Sequence, residues 1–435
     1  MSQSTPATSS SGNYRWVICA LLFFATTVNY IDRQILSLIK EILDREIGWT
    51  NTQFGLVNSA FQLAYAFGLL GFGWFVDRYG TKIGYAVSIA AWSVAAMGHA
   101  LVFTFTGFLT ARVALGLGEG GNFPSAIKAT ALWFPKRERA LATSIFNSGT
   151  NVGAIMAPAV VPWIAYTWGW HYAFIAAGIA GFLWLLMWFP LYNVPEKIAH
   201  LTQAERDHIL SDRDEQAGNA GEKPSWASLL GYRQTWSFIV AKFLTDPIWW
   251  FFLIWLPDYF KATRGLEIKK SWLHIVSIYA IITVLSIFGG WVTGYLTKRG
   301  WTVTRARKTG MLIFACLVVP ILAVTHVGDW VAVLLIALAG SAHQAWSANL
   351  FTTVSDMFPK HAVASVVGIG GMAGAFGGAL FPTFSGWILD SAKASGNVTA
   401  GYGVLFAICA SAYLITFGLH HLLAPRFEPV ALKRG

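Results

Sequence analysis

A short stretch that occurs twice decides the fold. The first copy reads GWFVDRYGTK at residues 73–82, and the second reads GWVTGYLTKR at residues 290–299. The copies lie about half the chain apart, and each joins two apolar runs. An internal repeat of this length in so apolar a chain is typical of two related helix bundles, so we expect a ligand site between two halves.

The composition around these copies is that of a membrane protein. Hydrophobic residues make up 55% of the 435-residue chain and charged residues 12%, against about 45–50% and about 25% in soluble domains. The basic residues behind the net charge of +10 do not form one stripe with interleaved aromatics, so no nucleic-acid partner is expected. The three cysteines lie in apolar segments, and we predict no disulfide, metal site or cofactor.

Twelve apolar runs are long enough to cross a bilayer, which needs about 20 residues per helix. They must be helices, because backbone amides in lipid find partners only within a helix or a closed barrel, and barrel strands alternate over shorter segments. Small residues, as at 116–118 and 368–378, allow such helices to approach closely. The runs lie at 16–38, 52–75, 82–104, 107–131, 140–163, 170–192, 236–260, 271–297, 308–327, 330–355, 363–389 and 401–424.

The predicted fold is an all-α membrane protein with twelve transmembrane helices in two pseudo-symmetric six-helix bundles. Most of the 31 Lys and Arg residues fall in loops on the side of the two termini, so the positive-inside rule places both termini in the cytoplasm. A capping box from Thr202 to Glu205 predicts a short surface helix in the one long polar stretch. The predicted units are a disordered cytoplasmic tail at 1–14, an N-terminal bundle at 15–192, a cytoplasmic linker at 193–235, a C-terminal bundle at 236–424 and a cytoplasmic tail at 425–435.

The pattern Gly-x-x-x-Asp-Arg-x-Gly-x-Lys at 73–82 resembles the signature loop of the major facilitator superfamily, and the resemblance covers essentially the whole chain. It implies a conformational gate at Asp77 and Arg78, in which the acid caps a neighbouring helix end, pairs with an arginine and locks the outward-facing state. The second copy departs from the pattern, with Gly294 in place of the acid. A charged turn that only obeys the positive-inside rule is the alternative.

Further motifs narrow the resemblance. The stretch NYIDR at 29–33 and the series Arg112, GLGEG at 116–120 and Pro124 resemble the anion:cation symporters within the superfamily. The stretches FNSGTNVG at 146–153 and HQAWSANLF at 343–351 resemble the bacterial hexuronate transporters, which take up galacturonate and glucuronate. The resemblance therefore implies a sugar-acid substrate.

Ionisable residues inside the predicted spans are functional candidates, because each charge in hydrocarbon costs roughly 2.5–3.5 kcal/mol on insertion scales. They are Asp32, Arg33, Arg112, Glu119 and Lys242. The planar guanidinium of Arg33 fits a carboxylate in bidentate fashion, so we expect it to bind the substrate's carboxylate, as the resemblance also implies. A permanent structural pair with Glu119 or Asp32 is the alternative.

Asp32 and Glu119 are the predicted proton carriers. A buried carboxylate beside an arginine is poised to load and release a proton as access alternates. Arg112 completes this proton-coupling set; it lies two helical turns from Glu119, about 10 Å along the axis, so the two are not expected to pair directly. A structural ion-pair network is the alternative.

A sugar acid also needs polar and aromatic groups near the midplane to hold its hydroxyls and ring. The resemblance assigns this role to Tyr30, Tyr65 and Thr150 of the N-terminal half, and Asn147 and residues of the tenth span are further candidates. The full set is Tyr30, Tyr65, Asn147 and Thr150 from the first half, and His343, Gln344, Trp346 and Asn349 from the second. A hydrogen bond to a neighbouring helix is the alternative role for His343 and Gln344.

Two further features of the spans receive structural interpretations. Lys242 and Asp246 stand four residues apart in the seventh span, a spacing that favours a local ion pair over a second anion contact. Tryptophans toward the span ends predict anchoring at the membrane interface. They are Trp163, Trp168, Trp170, Trp249, Trp250 and Trp255.

The sequence carries no Walker loop, nucleophile elbow, zinc spacing or haem-attachment motif, so we do not expect an enzyme. The prediction is a secondary active transporter of the bacterial inner membrane that imports a hexuronate by proton symport and alternating access. Its expected partners are the sugar acid, protons and the lipid bilayer, and we expect a monomer. Three alternatives stay open: a symporter for another organic anion such as an aldonate or glucarate, a membrane sensor that does not transport, and an integral-membrane enzyme.

Overall fold

The computed structural model describes residues 12–199, 201–211 and 225–430. Over these residues the chain forms twelve long helical segments, and nine of them are long and apolar enough to cross a membrane by length and composition alone. The predicted all-α membrane fold is confirmed. The long segments are α1 (Tyr14–Leu38), α2 (Asn51–Tyr79), α3 (Thr81–Gly98), α4 (Phe105–Glu119 with Asn122–Trp133), α5 (Lys136–Trp168), α6 (Trp170–Leu191), α7 (Arg233–Arg264), α8 (Ile268–Lys298), α9 (Val303–Val318), α10 (Asp329–Met357), α11 (Lys360–Ala394) and α12 (Val398–Leu423).

Shorter helical pieces connect these segments. Lys40–Ile47 follows α1, and Gln203–Leu210 and Trp226–Leu229 lie between α6 and α7. Turns of 3-10 helix occur at His99–Leu101, Pro195–Lys197 and Val319–His326. The predicted tails and linker extend over residues 1–11, 200, 212–224 and 431–435, which lie outside the described residues.

Local side chains and glycines set the helix ends. At the start of α2, the Thr50 hydroxyl accepts a hydrogen bond from the Gln53 amide, and the Gln53 side chain accepts one from the Thr50 amide. This reciprocal capping satisfies two of the amides that a helix start leaves without partners. Between α2 and α3, Gly80 has a φ of 83°, a conformation that glycine adopts without steric cost. The glycine of the signature loop thus permits the reversal of the chain there.

Small residues let α4 lie against its neighbours, as the sequence predicted. A Cβ atom on Gly116 would lie 2.5 Å from the carbonyl oxygen of Phe61 on α2. One on Gly118 would lie 2.7 Å from the amide nitrogen of Trp92 on α3. α4 is interrupted after Glu119, at Gly120 and Gly121. Glu119 is the last residue before this interruption, and its side chain is fully buried.

The linker helix is tied to the start of α1. The Thr202 hydroxyl accepts from the Glu205 amide at 3.2 Å, as a capping box requires. The Glu205 carboxylate, however, accepts from the Arg15 amide at 3.1 Å, so the predicted capping box is formed only in part. At the same end of the bundle, Arg233 Nη2 donates to the Leu422 carbonyl at 2.8 Å. The start of α1, the start of α7 and the end of α12 therefore lie together at one end, which we call the linker end.

The two halves are fastened to each other at the opposite end. Lys40 Nζ lies 2.9 Å from the Asp258 carboxylate at the end of α7. The Asp390 carboxylate on α11 accepts hydrogen bonds from the Asn51 amide at 2.9 Å and the Thr52 amide at 2.7 Å. This carboxylate satisfies the free amides at the start of α2 from the other half of the molecule. Lys261 Nζ on α7 also donates to Glu41 at 2.8 Å, so two ion pairs and one capping contact hold the halves together away from the linker end.

Candidate substrate-binding site

Two adjoining cavities lie between the halves, midway along the helices. The larger has a volume of about 200 Å³ and the smaller about 20 Å³. Tyr30 of α1 and Trp250 of α7 line both. Pockets for drug-sized ligands span about 300–1,000 Å³, so the combined space suits a smaller, polar molecule. The remaining lining residues are Gln34, Arg33, Asn58, Phe61, Gln62, Arg112, Leu253 and Ile254 in the smaller cavity, and Asn147, Thr150, Lys242, Asp246, Trp249, His343, Gln344 and Ser347 in the larger.

Arg33 is the centre of the N-terminal wall. Its Nε donates to Glu119 Oε2 at 2.7 Å, and both side chains are almost wholly buried. Its guanidinium carbon lies 4.3 Å from the ring centroid of Tyr65, 5.0 Å from that of Tyr30 and 5.7 Å from that of Trp250. Aromatic faces at these distances attract a cation and orient it. Nη2 of Arg33 has no hydrogen-bond partner among the described residues, which leaves it able to bind an anion.

Asp32 and Arg112 are also buried beside this pair. Both carboxylate oxygens of Asp32 lack a hydrogen-bond partner within the described part of the chain, and so do Nε and Nη2 of Arg112. The guanidinium carbon of Arg112 lies 5.5 Å from the Phe61 ring centroid. Asp32 and Arg33 are neighbours in sequence, yet Arg33 bonds to Glu119 on α4. The structure therefore concentrates two acids and two arginines on α1 and α4.

The C-terminal wall of the larger cavity carries its own ion pair. Lys242 Nζ lies 2.6 Å from Asp246 Oδ2, one turn along α7. His343 of α10 shares a hydrogen bond of 2.6 Å between its Nδ1 and the Tyr413 hydroxyl. The His343 ring also stacks on Trp249 at 5.5 Å between centroids. This wall therefore presents an ion pair and a fixed imidazole to any ligand.

The profile of the Major Facilitator Superfamily matches residues 22–382. The chain belongs to this superfamily. It is 30% identical over 404 residues to a hexuronate transporter of Escherichia coli K12, covering 91% of this chain and 90% of the relative. It is 29% identical to a D-galactonate transporter of Escherichia coli O6:H1, over 87% and 90% of the two chains. A probable galactarate/D-glucarate transporter of Bacillus subtilis is 27% identical, over 95% and 94%.

Solved transporter structures share the fold. A bacterial homologue of the human lysosomal transporter Spinster, in an inward-facing and occupied conformation, matches with a TM-score of 0.74 at 17% identity, over 96% of this chain and 98% of that one. A D-xylose–proton symporter matches with a TM-score of 0.73 at 16% identity, over 95% and 99%. The profile match over residues 22–382 confirms the sequence-based assignment to the major facilitator superfamily. The proteins that this chain resembles are transporters, and those related in sequence are named for sugar acids.

The superfamily scaffold brings most of the predicted site residues together. Tyr30, Arg33 and Arg112 line the smaller cavity, while Asn147, Thr150, His343 and Gln344 line the larger one together with Tyr30. Glu119 and Tyr65 stand directly behind Arg33. Asp32 is buried beside them on α1.

Three predicted substrate-binding residues lie outside both cavities: Tyr65, which lies behind Arg33, and Trp346 and Asn349 on α10. Trp346 is fully buried and packs against Tyr413, with 5.6 Å between ring centroids. Asn349 is also buried, and it donates to the Ala345 carbonyl at 2.8 Å and accepts from Arg307 at 3.5 Å. Trp346 follows His343 by one turn of α10 and contacts the same Tyr413 side chain, whereas Asn349 lies on the side of α10 that meets Arg307. In this structure they support the bundle and do not line the cavity.

The sequence analysis missed the contribution of α7. Trp249 and Trp250 line the larger cavity, and Trp170 and Trp255 are buried, so the prediction of interfacial anchoring was wrong for these four. Trp163 and Trp168, more than half exposed, fit it. The predicted pair of Lys242 and Asp246 is formed, but it faces the cavity. The spacing of Lys242, Asp246 and Trp249 or Trp250 along one face of α7 was the available signal.

The signature loop of the superfamily lies at the linker end. Asp77 is largely exposed, and its carboxylate accepts from Lys128 Nζ at 2.7 Å. The partner that the resemblance implied, an arginine, is therefore a lysine here. The same Nζ donates to the Val76 carbonyl at the end of α2, where a cation is favoured by the helix dipole. Arg78 instead lies over Trp74 and Tyr79 at 5.7 and 5.8 Å.

Proposed function

We propose that this chain imports a sugar-acid anion, namely a hexuronate such as galacturonate or glucuronate, by proton symport with alternating access. The observation that carries the proposal is the guanidinium of Arg33 between the two halves. It is held by Glu119 through Nε, while Nη2 has no partner among the described residues. A carboxylate that enters the cavity would gain a charge-assisted hydrogen bond there. Relatives named for hexuronate, galactonate and galactarate transport support the substrate class.

Proton coupling follows from the competition for Arg33. A proton on Glu119 removes the negative charge that holds the guanidinium, and the substrate's carboxylate takes its place. The cavity then has the same net charge before and after loading, so the buried cation is never left without a counter-charge. Loss of the proton returns Glu119 to Arg33 and displaces the substrate. Asp32, buried close by, is the second proton carrier of the proposal.

Alternating access follows from the contacts between the halves. With both termini in the cytoplasm, as the positive-inside rule predicts, the fastened end faces the periplasm and the structure is inward-facing. Opening toward the periplasm then requires the Lys40–Asp258 and Lys261–Glu41 ion pairs and the Asp390 cap on α2 to separate. Asp77 and Arg78 are the gate at the linker end in the opposite state. The chain is a multi-pass membrane protein, and the proposal places it in the bacterial inner membrane.

A second candidate within transport is symport of another organic anion. The relatives named for galactonate and for galactarate or D-glucarate favour it. These acids share a carboxylate and a chain of hydroxyls with the hexuronates, and the same Arg33 contact would bind them.

Uptake of labelled galacturonate into proteoliposomes that hold the purified protein tests the proposal. An inward proton gradient is imposed, and a matched sample receives an ionophore that collapses it. Accumulation that needs the gradient supports proton symport, whereas uptake that ignores the gradient removes the proton roles. Competition by glucuronate, galactonate and galactarate ranks the substrates. Binding without uptake would favour a sensor, and neither binding nor uptake of any of these acids would overturn the proposal.

A further inference from the structure

The ion pair on α7 lines the larger cavity, and the proposed function assigns it no role. Lys242 and Asp246 are 2.6 Å apart, and their side chains are 8% and 21% exposed. Both line the cavity opposite the Arg33 region. Removing both charges from water can cost more free energy than their mutual attraction returns, so a role in binding is the first interpretation to test.

The surroundings hold both members in place. A Cβ atom on Gly374 of α11 would overlap Asp246 Oδ2, so α11 presses directly against the carboxylate. Lys242 Nζ lies 4.6 Å from the ring centroid of Phe351 on α10. The carboxylate and the ammonium are thus each positioned by a different neighbouring helix, in addition to their own bond.

The pair determines the charge that a ligand meets at this end of the cavity. Lys242 alone would present a full positive charge, and a second carboxylate of a ligand would be attracted to it. With Asp246 attached, the pair is neutral, and it presents hydrogen-bonding groups suited to hydroxyls. In a poorly solvated cavity this difference is large, because unit charges in contact interact much more strongly there than in bulk water.

We infer that Asp246 is a specificity-determining residue: by neutralising Lys242 it makes the site select sugar acids with one carboxylate over those with two. The inference rests on the proposed function, because it concerns the far end of the same cavity. Arg33 receives the single carboxylate of the substrate, and the Lys242–Asp246 pair receives the hydroxyl end. A second carboxylate at that end would lie beside Asp246 without a free cation.

The matched ligands for the test are galacturonate and galactarate, six-carbon acids that differ in whether carbon 1 is a masked aldehyde or a second carboxylate. Their apparent affinities are measured by competition against labelled galacturonate in proteoliposomes, and by tryptophan quenching of the purified full chain. The wild type is expected to prefer galacturonate. Asp246→Asn keeps the shape of the side chain but frees the Lys242 charge, so the affinity ratio should shift toward galactarate by at least about tenfold.

Two companion variants keep the test decisive if Asp246→Asn does not fold. Lys242→Gln leaves a buried carboxylate, which should weaken galactarate more than galacturonate. The double variant Lys242→Gln with Asp246→Asn is neutral and should restore the wild-type ratio. Elution volume and melting temperature in detergent establish which variants are folded.

The outcomes separate this inference from the proposed function. If the wild type neither binds nor transports either acid, the proposed function fails. If the wild type handles sugar acids but already prefers galactarate, or if a folded Asp246→Asn protein keeps the wild-type ratio, the inference is overturned while sugar-acid transport stands. A Lys242→Gln protein that loses galacturonate more than galactarate would also overturn it.

Discussion

The two walls of the cavity each carry one buried ion pair, but the pairs are built differently. Arg33 and Glu119 lie 86 residues apart on α1 and α4, whereas Lys242 and Asp246 lie one turn apart on α7. A pair between two helices can be separated when the helices move or when a ligand competes for one partner. A pair within one helical turn keeps its geometry when the helix moves as a rigid body. The comparison indicates that the first pair is suited to coupling and the second to a fixed charge pattern.

The largest expected effect comes from Arg33→Lys, which breaks the first pair's geometry but keeps its charge. A lysine ammonium is a point charge and cannot bind the substrate carboxylate in bidentate fashion as the planar guanidinium can. A hydrogen bond to a charged group contributes about 1.5–3 kcal/mol, so loss of the bidentate contact should lower the uptake of galacturonate at least about tenfold. Labelled uptake by proteoliposomes measures it. Lys242→Arg is the matched control on the other wall, and it should reduce uptake far less. Equal losses in the two variants would contradict the different roles of the two pairs.

Glu119→Gln separates binding from coupling on the same wall. Glutamine can still accept the hydrogen bond from Arg33 Nε, but it cannot take up and release a proton. Exchange of labelled for unlabelled galacturonate across the membrane should stay within about threefold of the wild type. Gradient-driven accumulation should be lost. Accumulation that persists in this variant would show that the proton travels by another group.

Asp32→Asn should have a smaller effect of the same kind. The Asp32 carboxylate accepts no hydrogen bond from the described residues, so the substitution removes a titratable group without breaking a side-chain bond. We expect reduced accumulation with normal exchange, and a flatter dependence of uptake on external pH. If accumulation and its pH dependence are both unchanged, Asp32 carries no proton, and Glu119 acts alone.

The smallest expected effect comes from Trp250→Phe, which alters the residue that both cavities share. One cation–π contact contributes about 0.5–1 kcal/mol, so the apparent affinity for galacturonate should fall about two- to fivefold. Trp346→Phe is the control, because Trp346 is fully buried outside the cavities. It should lower the melting temperature and leave the affinity unchanged. A change in affinity for Trp346→Phe would return that residue to the binding site.

Most of the N-terminal wall could be predicted from the sequence, and less of the C-terminal wall. Arg33 and Glu119 stood out because a charge inside a hydrocarbon span costs free energy and therefore usually has a functional role. His343 and Gln344 stood out as polar groups in an apolar run. The same reasoning selected Trp346 and Asn349, because a run of polar and aromatic residues does not reveal which face of the helix turns inward. The sequence analysis did not select Trp249 and Trp250, since tryptophan is common both at the membrane interface and in partly buried sites.

The sequence by itself determined the class of the protein, the number of apolar spans and the doubled signature loop. These features follow from the free energy of transferring each residue into lipid. That free energy depends on residue type and segment length, and it does not depend on how the helices pack against each other. Only the tertiary structure decided that Arg33 pairs with Glu119 and that the Lys242–Asp246 pair faces the cavity. The rotation of each helix about its axis depends on packing, such as the contact of Gly374 with Asp246 or of Gly116 with Phe61. That rotation placed Glu119 against Arg33 and turned the pair on α7 toward the cavity.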